Sequence, residues 1–320
     1  MMHSMFQATE QPVRATPVFW KDTLISGSPA RIECVEIGGQ CYSLNRGPLR
    51  IARLEDEWYE DLADPIPVIE ALKANREAKA DLLTFWQRVP DVVPRYSFHM
   101  ELEDLAVLDV TSYEHWWKRQ IKSRVRNLIK NAEKDGLVVR EAAYDDDFVQ
   151  GMTDIFNEAP VRQGRRFWHY GKDFATVKQQ FSRYVHRETM IGAYSEGRMV
   201  GFVMLGDARR YALTGQIISS IKHREKSPSN ALMAKAVEVC ALRGWPHLVY
   251  FYWGDDSLTE FKRRCGFERV TVPRYYVPLS RKGQLALKCG AHRGWRAMVP
   301  RRVRDQLKRV RAAWYESRQG

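Results

Sequence analysis

Between Met190 and Phe267 the chain alternates apolar and polar residues in a fixed order. Two alternating runs flank Ser195-Glu196-Gly197-Arg198, and a third follows at Tyr211–Ser219. Period-two alternation broken by turn residues predicts three strands. The polar elbow Lys222–Asn230 then opens a helix-patterned run that stops at Arg243-Gly244-Trp245-Pro246. A short apolar run, His247–Trp253, reads as a buried strand. A second helix leads to Cys265-Gly266-Phe267. Three strands, a helix, a strand and a helix in this order predict a sheet that splays open, with a helix N-terminus facing the opening.

The pattern before this stretch is less regular. Arg31–Ile37 and Gln40–Leu44 read as strands joined by the tight turn Gly38-Gly39. Pro65-Ile66-Pro67 opens a helix expected to run from Val68 to Gln87, and Ala106–Val110 reads as a strand. Thr111-Ser112 caps a helix expected over Tyr113–Asp135, where Trp117, Ile121, Val125, Leu128 and Ala132 form one stripe. Lys118, Lys122, Arg126, Lys130 and Lys134 occupy its other side, as a solvated face would. Leu137–Glu141 reads as the next strand and Asp145–Phe156 as a helix. Asn157–Asp173 has no period. It carries Arg162, Gln163, Arg165, Arg166, Trp168, His169 and Tyr170 among Pro160, Gly164 and Gly171. A loop so rich in arginine and aromatics either packs against the body or binds a ligand, and the second reading is favoured.

At 320 residues the chain exceeds one small core. The expected division is an N-terminal α/β region over 1–110, a main domain over 111–280 and a basic tail over 281–320. No run of about 18 apolar residues marks a membrane span. The first ten residues lack a basic start followed by an apolar core, so no secretory leader is expected. Five scattered cysteines argue for a reducing cytoplasm rather than a disulfide framework, and no Cys or His pair has zinc-finger spacing, so no metal is expected. Charge is uneven. Residues 281–320 hold twelve Lys and Arg against two Asp and Glu, which is +10 of the chain's +12. A helix is expected after Pro300, with Val303, Leu307, Val310 and Trp314 on one side and arginines around them. Such a tail either docks on the protein or meets an anionic membrane surface or tRNA. The expected location is cytoplasmic, with peripheral attachment to the inner membrane face as the alternative.

Three groups of residues carry the candidate chemistry. The elbow supplies His223, Arg224, Lys226, Ser227, Ser229 and Asn230 at a helix N-terminus, where backbone N–H groups attract phosphate. Asp255 stands at a strand end and, with His169, is a candidate general base. Lys262 lies four residues before Gly266.

These pieces together resemble the GNAT acyltransferase superfamily, and within it the FemAB-like branch, over about Trp116–Pro278. The matching segments are Arg126–Lys130 with Ala132–Gly136, Glu196–Gly201, Pro228–Met233 with Arg243-Gly244, and Leu258–Lys262 with Gly266-Phe267. The resemblance implies a mixed α/β (α+β) fold: a GNAT-like twisted sheet with helices on both faces, preceded by a smaller α/β region and followed by the basic C-terminal helix. It implies metal-free acyl transfer from a thioester such as acyl-CoA to an amine or hydroxyl of a small-molecule or cell-envelope precursor. Aminoacyl transfer from a charged tRNA, as in Fem ligases, is the alternative; a non-enzymatic nucleic-acid or membrane binder on the same scaffold is another. By this resemblance the donor pyrophosphate would rest on His223–Asn230. The chain departs from the GNAT pattern in two places. Lys226-Ser227-Pro228-Ser229-Asn230 replaces a glycine-rich loop, and Lys262 replaces the tyrosine that often acts as general acid. Lys262 is instead suited to stabilising a phosphate or an oxyanion, and the Phe261-Lys262 pair is shared with the FemAB-like branch. The loop residues Arg162, Gln163, Arg165, Arg166, Trp168 and Tyr170 are expected to contact the acceptor.

Overall fold

The computed structural model describes residues 14–25, 28–162 and 164–294. The tail helix expected after Pro300 and Gln163 therefore lie outside the described residues.

The first strands, β1 (Phe19–Ile25), β2 (Ser28–Ile37), β3 (Gln40–Leu44) and β4 (Ile51–Leu54), form an antiparallel run. Gly38 and Gly39 both take positive φ at the expected β2–β3 turn. Helix α1 (Pro65–Ala74) starts as expected, with the Asp64 side chain accepting from the Ile66 N–H. It ends at Asn75, well short of Gln87. Leu82–Trp86 is strand β5, buried at all five positions. An apolar run buried on both faces has no alternation to distinguish it from a helix, and that explains the error. Strand β6 (His99–Asp109) follows and is longer than the sequence suggested.

The helix expected over Tyr113–Asp135 is broken. A short turn α2 (Tyr113–His115) passes into a π-turn over Trp116–Gln120, and α3 (Ser123–Lys134) begins afresh after Ile121 and Lys122. The extra residue rotates the buried stripe. Trp116, Ile121, Val125, Ile129 and Ala132 face the core, while Leu128 is only partly covered. The Trp116 indole N–H donates to the Cys265 carbonyl at 2.9 Å, joining this segment to the Gly-Phe turn. Then come β7 (Val138–Ala142), α4 (Asp146–Phe156), the two-residue hairpin β8 (Val161–Arg162) and β9 (Arg165–Arg166), and α5 (Phe174–Phe181). The remainder follows the expected order: β10 (Glu188–Ser195), β11 (Arg198–Asp207), β12 (Ala212–Ser219), α6 (Pro228–Leu242), β13 (His247–Tyr252) and α7 (Ser257–Arg264). Strand β14 (Glu268–Pro278) and helix α8 (Arg281–Lys288) complete the described chain.

One sheet takes in every strand but the small hairpin, in the order β1-β2-β3-β4-β5-β14-β6-β13-β12-β11-β10-β7. Strand β14 decides this continuity. It lies between β5 and β6, antiparallel to both, so a strand from the end of the chain joins the early strands to the later ones. The later half is layered. Val203 and Leu205 of β11 point to the side covered by α3 and α6, and Phe202 and Met204 to the side covered by α4 and α5. A third apolar cluster, with Tyr59, Trp86, Leu105, Tyr211, Leu213 and Val249, spans the junction of the two halves. No helix among the described residues is long and apolar enough to cross a membrane.

A candidate functional site at the splayed strands

Strands β12 and β13 are parallel neighbours that pair only at Ala212–Leu248 and Leu213–Val249. Beyond these residues they diverge. Both are irregular at that point. The register of β12 against β11 jumps so that Met204 faces Gln216 and Leu205 faces Thr214, leaving Gly215 as the extra residue. On β13 the pairing with β6 shifts between Val249 and Tyr252, and Phe251 takes a φ of +44°. A positive φ at a bulky aromatic residue is strained, and bulges gather where strands must turn aside for a site. Helix α6 packs on one face of these strands and a cavity lies on the other.

That cavity holds about 240 Å³. Leu213, Gly215 and Gln216 of β12 and Phe251 of β13 form its sheet side, and the loop Glu55–Tyr59 and the segment Gln180–Tyr184 wall it. The loop is pinned from behind. Arg274 donates to both carboxylate oxygens of Glu57 at 3.0 and 3.3 Å and to Glu103 at 2.6 Å, in an almost wholly buried cluster. The opposite wall is tied to the same loop: Arg183 bridges Glu55 at 2.8 Å and Asp56 at 2.6 Å, and Arg187 reaches Glu60 at 2.9 Å.

Glu188, the first residue of β10, lines this cavity. Its Oε1 accepts a hydrogen bond from the Tyr59 hydroxyl at 2.8 Å. A β-carbon added at Gly215 would come within 3.2 Å of the same oxygen, so glycine gives the carboxyl its room. Burial pushes the Glu188 carboxyl up from 4.5 to about 7, against a smaller lowering by the Tyr59 hydrogen bond. A carboxyl that titrates near neutrality inside a cavity is suited to accept and return a proton.

The elbow stands at the other mouth of the gap. Ser227 takes a left-handed φ of 52° and starts α6 without a side-chain cap. Ser229 Oγ and Ser219 Oγ lie 2.8 Å apart, and the Asn230 N–H donates to the Ser227 carbonyl at 3.0 Å. Lys226 reaches sideways to Ser195 Oγ at 2.7 Å, His223 Nδ1 lies 3.0 Å from Ser220 Oγ, and Arg224 is exposed. An acid has also entered the elbow: Glu158 accepts from the Ile221 N–H at 2.7 Å and from the Ser220 hydroxyl.

The aromatic loop divides its residues between two uses. Arg162 is structural, donating to the Ser219 carbonyl at 2.8 Å and to Ile155 O while lying over the Phe167 ring. Arg165, Arg166, Trp168 and Tyr170 face solvent, with Lys172 over the Trp168 ring at 4.0 Å. His169 does not line the cavity. It is 1% exposed, stacks on Phe156 at 4.2 Å and touches Trp168 and Phe181. Burial, with help from the Lys172 and Arg162 charges, lowers its pKa from 6.5 to about 3, so the ring stays neutral.

Lys262 is buried, donates to the Tyr252 carbonyl at 2.7 Å and sits over the Tyr250 ring at 4.4 Å. Burial lowers its pKa to about 8, opposed by the Asp256 charge. It therefore holds the carbonyl of the residue next to the cavity-lining Phe251. Asp256 caps α7, and Asp255 beside it is exposed. The structure thus groups the elbow residues at one mouth, puts Lys262 at the end of β13, and leaves His169 in a packed layer. The residues at the other mouth, Glu188, Tyr59 and Arg183, were not singled out in the sequence. They come from three segments, and the only local signal was an acid at the head of an apolar strand.

The fold is GNAT/FemAB-like, as the sequence led us to expect. FemX superposes with a TM-score of 0.54 at 9% identity, covering 80% of this chain and 88% of FemX. L-PGS from Bacillus licheniformis gives 0.53 at 14%, over 78% of this chain and 86% of that one. The C-terminal domain of an Agrobacterium fabrum protein assigned as a lysylphosphatidylglycerol synthetase gives 0.53 at 15%, over 78% and 84%. No protein-family profile and no curated protein sequence matches the chain.

Proposed function

We propose that this protein is an acyltransferase that works through the gap between β12 and β13. The activated acyl group enters beside the N-terminus of α6, and an amine or hydroxyl acceptor approaches through the cavity. The observation that carries this reading is Glu188, a carboxyl poised near pH 7 in a cavity that opens onto the splayed strands. In the reaction Glu188 takes the proton from the attacking nitrogen or oxygen. The nucleophile adds to the acyl carbonyl, and backbone N–H groups freed where β12 leaves β13 stabilise the developing oxyanion. Collapse expels the thiol or hydroxyl leaving group, which takes up a proton. Lys262, with its lowered pKa, keeps the end of β13 in place and is the candidate for that donor. Asp255 remains a second base candidate, exposed and outside the cavity lining.

The first donor to test is an acyl thioester of coenzyme A, held by His223–Asn230. A second reading, an aminoacyl ester carried on tRNA, has its own support. Glu158 stands in the elbow, and a carboxylate there opposes a bound pyrophosphate. FemX and L-PGS share the fold, and Fem ligases use aminoacyl-tRNA. An envelope-related acceptor fits both readings. The test is label transfer from acyl-CoA or from aminoacyl-tRNA to a panel of amines and envelope precursors, with Glu188→Gln as control. Transfer from either donor that disappears in Glu188→Gln supports the proposal and selects the donor. Absence of transfer, together with salt-sensitive RNA or membrane binding, would turn the reading to a non-enzymatic binder.

A further inference from the structure

A second cluster of reactive side chains lies far along the sheet from the gap. His99 and Glu101 stand two residues apart on β6, so they share one face of the strand. His292, in the short 3-10 turn after α8, is brought against them from 191 residues beyond Glu101. The donor atoms of all three lie within 4.8 Å of one another. The imidazole rings of His99 and His292 meet edge to face at 5.2 Å.

The hydrogen bonding of His292 carries the argument. Its Nδ1 faces the Ala286 carbonyl at 3.5 Å and its Nε2 faces Glu101 Oε1 at 2.7 Å. Both partners are acceptors. The ring can take either neutral tautomer: Nε2–H donates to Glu101 when no cation is bound, and Nδ1–H turned to the Ala286 carbonyl frees the Nε2 lone pair for one. A ring that donates Nδ1–H to a backbone carbonyl while its Nε2 faces a carboxylate and a second imidazole has the orientation of a metal-ligating histidine. Arg293 also binds Oε1 of Glu101, at 2.7 Å, so among the described residues Oε2 is left to take a ligand position.

We propose that His99, Glu101 and His292 form a binding site for a divalent transition-metal ion, Zn²⁺ foremost. Two imidazoles and one carboxylate suit Zn²⁺ and leave a fourth position for water. Ligand atoms on one Zn²⁺ lie closer together than 4.8 Å, and exposed His99 has the freedom to swing in. Such an ion would clamp the segment after α8 to β6, the strand that holds β14 and β13 together. No local Cys or His spacing marks this set in the sequence, because it closes only across the fold.

The test uses the full chain, stripped with a chelator and titrated with Zn²⁺ by calorimetry at neutral pH. One site is expected. His99→Ala, at an exposed position that leaves the metal-free melting temperature unchanged, should weaken binding at least ~10-fold. Glu101→Gln should weaken it as well. Cys41→Ser controls for the separate group Cys34, Cys41 and Glu55 and should leave binding intact. Co²⁺ bound at the site should show ligand-field absorption without a thiolate charge-transfer band. Binding unchanged in His99→Ala, binding lost in Cys41→Ser, or no binding at all would overturn the proposal.

Discussion

The aromatic loop around His169 and the cavity around Glu188 each take a titratable side chain out of water, with opposite results. His169 is enclosed by Phe156, Trp168 and Phe181 and takes up no second proton near neutrality. Glu188 borders a space large enough for a substrate group and, among the described residues, has one hydrogen-bond partner, Tyr59. Burial favours the neutral form of both. For a base this removes the charge and the reactivity across the physiological range. For an acid it brings the titration near neutrality, where the proposed proton transfer would use it. The comparison shows that burial alone does not mark a site; burial beside an open volume does.

The largest effect expected from breaking this contrast is on turnover. Glu188→Gln should lower kcat by about 100-fold or more, the usual scale for a lost general base, with the fold intact by circular dichroism. The acidic limb of the pH–rate profile, expected near pH 7, should vanish in the same variant. Phe156→Ala tests the other side. Removing a fully buried ring stacked on His169 should cost about 3–5 kcal/mol in denaturant unfolding. The folded fraction should retain its rate.

Stability should respond to pH in opposite directions at the two residues. The Glu188 pKa is raised in the folded state, so its contribution is fully present below pH 4.5 and is lost as pH rises through about 7. Glu188→Gln should therefore melt higher than the parent at pH 8, and that gain should disappear toward pH 4.5. The His169 pKa is lowered, so its contribution is present above pH 6.5 and is lost as pH falls toward 3. Replacement of His169 by Phe should gain stability at pH 5 relative to pH 8. The same direction of shift in both variants would show that the two environments are not distinct. Gly215→Ala should give a smaller loss, roughly tenfold in kcat/KM, as the added carbon crowds Glu188 Oε1. Lys226→Ala should have the smallest effect, a few-fold rise in the donor KM with kcat unchanged. An unchanged donor KM would move the donor away from the α6 mouth.

Much of the later half was legible because its elements announce themselves locally. The alternating runs of β10, β11 and β12, the elbow before α6 and the Gly266-Phe267 turn all stand where the pattern put them. The misreadings have local causes too. Leu82–Trp86 lacks alternation because both its faces are covered, and the π-turn at Trp116–Gln120 adds a residue that no periodicity forecasts. Around the gap, the elbow could be read because Lys226, Ser227, Ser229 and Asn230 are neighbours in sequence. The cavity could not. Tyr59 and Glu188 are 129 residues apart, and the raised pKa of the acid depends on a wall supplied by the early loop.

The sequence by itself determined the order of strands and helices from β10 to α7 and the kinds of side chain at the N-terminus of α6, because periodicity, turns and caps act over a few residues. Tertiary structure decided that β14 inserts between β5 and β6 and that both strands at the gap bulge. It also decided that His169 packs away while Glu188 faces the cavity, and that His99, Glu101 and His292 converge. Those outcomes rest on contacts between distant segments, and desolvation, which sets the proton affinity of each buried group, is a property of the assembled surroundings rather than of the residue.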